Sequence, residues 1–108
     1  MFRYLAVLVL TLTFFSISWA EEAKYVLTIE NNKFHPAELH VPANQRVKLE
    51  IENRDATPEE FESYELNREK LIAPRSKATV YVGPLAPGRY PFFGDFHPKT
   101  TTGVLVAE

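Results

Sequence analysis

Prolines and glycines cut this chain into runs too short for a fold built on long helices. Breaks fall at Pro36, Pro42, Pro58, Pro74, Gly83-Pro84, Pro87-Gly88 and Pro98, and proline both lacks a backbone donor and clashes with a preceding helical turn. Between the breaks, apolar and polar residues alternate with period two. Tyr25, Leu27 and Ile29 interleave with Val26, Thr28 and Glu30; Val47, Leu49 and Ile51 interleave with Lys48, Glu50 and Glu52; Val80 and Val82 follow the same rule, and Gly103 to Ala107 reads as a last strand. That period marks strands with one buried face. Short strands at regular spacing with such breaks predict an all-β sandwich. A helix fits over Phe61 to Leu71, but Pro58 and Pro74 bracket it and Glu62, Glu65 and Glu69 leave it mostly polar.

The first twenty residues stand apart. Arg3, an apolar run from Leu5 to Ile17 and the closing Ser18-Trp19-Ala20 have the layout of a secretory signal peptide. The expected domains are therefore a signal peptide over residues 1–20 and one small domain over residues 21–108, with no membrane insertion after cleavage at Ala20–Glu21. Cysteine is absent. That excludes disulfide staples, thiol nucleophiles, iron–sulfur clusters and a blue-copper centre, each of which needs a thiol or thiolate. Without Arg3 the chain keeps 11 basic and 14 acidic residues, a net charge of −3, which gives nucleic acid no electrostatic footprint. Eight of those acids lie between Glu50 and Glu69, a solvated face or a surface that concentrates cations. Ser63 and Ser76 lack the nucleophile-elbow context of a hydrolase.

Three segments in order resemble the cupredoxin superfamily: Phe34-His35-Pro36 with Leu39-His40-Val41-Pro42-Ala43; Val47 to Asn53 with Thr57-Pro58-Glu59-Glu60-Phe61; and Pro87 to Gly94 with the closing Gly103 to Val106. The resemblance implies a cupredoxin-like Greek-key β-sandwich. Glu59 stands where the first copper histidine is expected, Gly94 where the cysteine is expected, His97 fits the second histidine, and Thr102 falls near the axial methionine. Only His97 survives from the blue-copper set. The altered pattern, with the runs Thr57 to Ser63, Asn67 to Lys70 and Phe92 to Pro98, is similar to the EfeO-type cupredoxin-like family. That implies a periplasmic protein that binds copper or iron and accompanies an inner-membrane iron permease.

The residues support a candidate site in part. If Phe61 faces the core, Glu59 shares its face, where a bare carboxylate needs a cation or hydrogen-bond donors. Tyr90, Phe92 and Gly94 share a face, so Gly94 is expected to leave an open volume; a simple bend also wants glycine. His97 precedes Pro98, which disfavours helix there. With His35 and Asp95, the expected metal ligands are His35, Glu59, Asp95 and His97. Asp95 also suits a turn and His35 a surface position. His40 alternates with Leu39 and Val41 and is expected to face solvent. Glu60, Glu62 and Glu65 suggest a shallower site for a hard cation. A nitrogen–oxygen donor set suits Cu(II) or iron. The expected function is an exported Cu(II)- or iron-binding protein assisting ferrous iron uptake, with a ferroxidase-like accessory activity open. The alternatives are a docking module that has lost its metal and a copper-delivery protein.

Overall fold

The computed structural model describes residues 3–14 and 23–108. The Ala20–Glu21 bond lies outside the described residues. Among the described residues nine strands follow one another: β1 (Lys24–Glu30), β2 (Lys33–His35), β3 (Glu38–Val41), β4 (Val47–Asn53), β5 (Glu59–Ser63), β6 (Arg68–Ile72), β7 (Lys77–Val82), β8 (Gly88–Gly94) and β9 (Thr102–Ala107). They form two sheets in the orders β2-β1-β4-β7 and β3-β9-β8-β5-β6. β1 lies parallel to β4 and β3 parallel to β9; the other pairs are antiparallel. This is the all-β sandwich expected from the alternation. No described helix is long and apolar enough to cross a membrane.

The inner faces follow the period-two rule. Val47, Leu49, Ile51 and Asn53 of β4 are buried, with partly buried residues between them, and β5 does the same with Glu59, Phe61 and Ser63. Three aromatic rings join the layers. Phe34 meets Phe92 edge-on at 5.0 Å between ring centroids, Phe61 lies 5.2 Å from Phe92, and Phe34 lies 6.2 Å from Phe61. Such contacts add about 0.5–1.5 kcal/mol each beyond area burial. Phe61 and Phe92 each lie two residues from a site position, Glu59 and Gly94, so this cluster is the floor beneath the site.

The helix open to Phe61–Leu71 does not form; a β5–β6 hairpin takes its place. Leu66 is buried within the connection. The Ser63 hydroxyl donates to the Pro91 carbonyl at 2.7 Å and accepts from the Leu66 amide at 3.1 Å, while Asn67 adopts φ 51°, a left-handed conformation asparagine tolerates. Glu59 pairs with Ile72 and Phe61 with Lys70, which buries Phe61 and Ile72 on the inner face, where a helix of this polarity has no continuous apolar stripe to bury. At the end of the sandwich where β5 begins, Asn31 and Asn32 both take left-handed φ in the β1–β2 turn, the requirement of a type I′ hairpin. Their amides donate to the Asp55 carboxylate at 2.8 and 3.0 Å, tying this hairpin to the β4–β5 loop.

His40 faces solvent as the alternation requires. Its Nδ1 lies 2.7 Å from the Glu108 carboxylate and its Nε2 3.3 Å from Glu38; Arg89 also donates to Glu38 at 2.8 Å. The hydrogen bond that His40 donates to Glu108, then that to Glu38, raises its pKa above the ordinary 6.5. A raised folded-state value means the imidazolium stabilises the fold below the unfolded pKa and that this contribution is lost as pH rises through the folded one. A nuclear magnetic resonance titration of His40 is expected to give a midpoint above an ordinary histidine's, and Glu108→Gln is expected to move it back down. A midpoint unchanged by that substitution would refute the pairing.

Candidate functional site

Glu59 opens β5 and, sharing the inward face with Phe61, is only 2% exposed. Its carboxylate gathers three donors. Oε1 accepts from the backbone amides of Glu60 and Phe96, both at 3.0 Å, and Oε2 accepts from His97 Nδ1 at 2.7 Å. These donors offset a desolvation penalty that an unpartnered buried carboxylate could not bear. The two residues expected at the centre of the site, Glu59 and His97, therefore meet. A carboxylate with three donors around it accepts only, so Nδ1 carries the hydrogen and the Nε2 lone pair of a neutral ring is left outward. The His97 side chain is 36% exposed. The local backbone holds it there: the His97 amide donates to the Gly94 carbonyl at 3.0 Å, and its carbonyl accepts from Thr100 and Thr101 at 3.2 and 2.9 Å.

Gly94 does not leave an open volume. A Cβ at this position would lie 2.6 Å from Glu59 Cδ, 2.8 Å from its Oε1 and 2.8 Å from Thr101 Cγ2. The carboxylate of Glu59 fills the space that a side chain at 94 would need, and glycine is the residue that permits it.

The other expected ligands lie elsewhere. His35 ends β2, opposite Thr28; its neighbour Phe34 is buried in the core while His35 is exposed, so alternation turns its side chain away from the sandwich interior. Asp95 joins Glu60 and Glu62: among the described residues, these form the group of three acidic or histidine side chains whose ligand atoms all lie within 4.8 Å of one another. The four residues His35, Glu59, Asp95 and His97 do not gather into one such group. Crowding marks the acidic one. A hydrogen bond from protonated Glu60 to Glu69, with burial and the charges of Glu69, Asp95 and Glu62, pushes the Glu60 carboxyl up to about 7, and burial with Asp95 and Glu69 raises that of Glu62. Glu65 is exposed in the β5–β6 turn, and Thr102 is exposed at the start of β9.

Two supporting residues escaped the sequence reading. Asn53 is 1% exposed; its amide group donates to the carbonyls of Thr57, Ala73 and Ile72 at 2.9, 3.2 and 3.3 Å, and its carbonyl accepts from the Asp55 amide at 3.0 Å. It shapes the loop that delivers Glu59. The signal was present: after Val47, Leu49 and Ile51, the next inward position of β4 is polar. Thr101 is fully buried; its hydroxyl donates to the Asn32 carbonyl and its carbonyl accepts the Gly94 amide at 2.7 Å.

The donor chemistry is one outward imidazole nitrogen and a buried carboxylate already hydrogen-bonded through both oxygens. That leaves one free nitrogen donor at the surface of the pair and does not suit a blue-copper centre, whose defining ligand is a thiolate.

Comparison with known proteins agrees with this architecture. A protein of Rickettsia prowazekii (strain Madrid E) is 42% identical over 82 residues, covering 76% of this chain and 66% of its own length; the chain thus spans about two thirds of that relative. Auracyanin A, a "blue" copper protein from the green thermophilic photosynthetic bacterium Chloroflexus aurantiacus, superposes with a TM-score of 0.68 at 16% identity, over 80% of this chain and 98% of its own. Amicyanin from Paracoccus versutus gives a TM-score of 0.64 at 17% identity, over 79% and 81% of the two chains. A purple cupredoxin from Nitrosopumilus maritimus gives 0.62 at 17%, over 78% and 99%. At these identities the structures speak to the fold alone. The family described as Cupredoxin-like domain matches residues 4–107, nearly the whole sequence, and the chain belongs to that family.

Proposed function

We propose that this protein is an exported, periplasmic metal-binding member of the cupredoxin-like family, of the EfeO type, that takes Cu(II) or iron through His97 and assists ferrous iron uptake beside an inner-membrane iron permease. The observation that carries this reading is the 2.7 Å contact between His97 Nδ1 and the buried Glu59 carboxylate. A ligating histidine commonly donates its other ring hydrogen to a carboxylate, which fixes ring orientation and strengthens the outward nitrogen as a ligand. Here Glu59 orients, His97 ligates, and Asp95, two residues away, is the nearest oxygen donor in sequence. A bound Cu(II) or iron ion would supply Lewis-acid or one-electron redox chemistry. Copper is favoured over ferrous iron by the divalent affinity order.

Calorimetry with Cu(II), Fe(II) and Fe(III), together with electron paramagnetic resonance of the copper form, tests the reading. The expected result is Cu(II) binding with a type-2 signal and no intense blue band. His97→Ala is expected to abolish it, and Glu59→Gln to weaken it by about tenfold to a hundredfold. Binding that survives His97→Ala overturns the site. The iron-uptake part is tested separately, by growth of a deletion strain on ferrous iron. A second reading, a docking module without metal, draws on the fact that Glu59 has three protein donors and needs no cation to offset its burial. Absence of binding tighter than about millimolar for every metal tested supports that reading.

A further inference from the structure

The outer face of the five-stranded sheet carries like charges set directly against one another. Glu62 of β5 pairs in register with Glu69 of β6 on one side and with Phe93 of β8 on the other, and Glu60 pairs with Leu71. A glutamate opposite a glutamate weakens a sheet. Glu60 and Asp95 crowd the same place, and among the described residues none of Glu60, Glu62, Glu69 or Asp95 has a lysine or arginine within 4.0 Å. Beside these acids lies an aromatic ledge. Tyr64 is 74% exposed and its ring lies 5.5 Å from that of Phe93. Leu71 is exposed as well. Between the acids and the ledge, a hollow of about 200 Å³ is lined by Glu62, Ser63, Tyr64, Asn67, Arg68 and Glu69. Arg68 lines the hollow without pairing to these acids: its guanidinium donates to the carbonyls of Tyr81 and Asn67, each at 2.8 Å.

We infer that this hollow receives an arginine side chain of a partner protein, with apolar residues beside that arginine resting on Tyr64, Phe93 and Leu71. The chemistry of the lining selects the occupant. Two carboxylates offer charge-assisted acceptors to a planar, multiply donating cation. An adjacent tyrosine ring offers it a face, and the exposed apolar ledge gives neighbouring residues something to bury against. The cross-strand repulsion in the free protein is relieved when such a cation docks. The lining of the hollow includes none of Glu59, Asp95 or His97, so its occupancy is tested separately from metal binding.

The probe is an acetylated, amidated Phe-Arg-Phe-Arg peptide titrated into the isotope-labelled full-length protein, with backbone amide shifts read by nuclear magnetic resonance. Shifts are expected at Glu60 to Tyr64, Glu69 to Leu71 and Phe93. Glu69→Gln is expected to weaken peptide binding at least fivefold while leaving the protein at least as resistant to urea, since it removes a like-charge contact. Tyr64→Ala is expected to weaken it at least threefold, and the same peptide with Gln for Arg is expected not to bind. Cu(II) affinity is expected to stay within threefold in Glu69→Gln, which separates this surface from the metal reading. Undiminished binding to Glu69→Gln overturns the inference. So do shifts confined to the Glu50 and Glu52 face, or saturation of the same amides by millimolar magnesium with no effect of the peptide.

Discussion

Glu59→Ala is expected to lower stability by about 2–5 kcal/mol, the range seen when a buried side chain that fills space and accepts hydrogen bonds is truncated. The effect has three sources that act together. The Phe96 and Glu60 amides lose their acceptor and the His97 imidazole loses its partner; a donor left unmade costs about 1–3 kcal/mol when fully buried and less at these part-buried contacts. The carboxylate also fills the space beside Gly94, so its loss opens a cavity next to the Phe61–Phe92 layer. A domain of this size has only about 5–15 kcal/mol in total, so the variant is expected near the edge of folding. Glu59→Gln keeps an acceptor for the amides and occupies the same volume, and is expected to fall between wild type and alanine. Urea unfolding followed by circular dichroism measures both. An alanine variant within about 1 kcal/mol of wild type would mean the pair holds nothing together.

Gly94→Ala carries the second large effect. The added Cβ would meet the Glu59 carboxyl carbon at 2.6 Å and Thr101 Cγ2 at 2.8 Å. Neither neighbour moves easily. Three donors fix Glu59, and Thr101 is fully buried with its hydroxyl committed to the Asn32 carbonyl. Overpacking of this kind costs about 1–3 kcal/mol. The two substitutions are expected to be strongly non-additive, because Glu59→Ala removes the atoms that the added methyl group would strike. The double variant is expected to be about as stable as Glu59→Ala alone. Strict additivity in the double-mutant cycle would show that the two residues do not share one space.

Several features of this protein were legible in the linear chain because they depend on a local period. Alternation of Val47, Leu49 and Ile51 placed β4 and its inward face; Glu59 on the face of Phe61, and His40 on the solvent side of β3, followed from the same rule. The absence of cysteine excluded a thiolate centre without any coordinates. The β5–β6 hairpin was harder to read. A polar run between two prolines fits a helix or a hairpin equally by local preference, and the choice fell to pairing with β8 and to Leu66 finding the core.

What the chain determined alone was which residues face inward and which chemistry was impossible, since side-chain direction in a strand repeats every two residues. What only the tertiary structure decided was who meets whom at the end of the sandwich. His97 reaches Glu59 across 38 positions and Asp55 holds a turn 23 and 24 positions away. His35 turns outward, and Asp95 joins Glu60 and Glu62. Those meetings depend on strand order, register and loop paths, which are set by the packing of two sheets against each other and leave no periodic trace in any one segment.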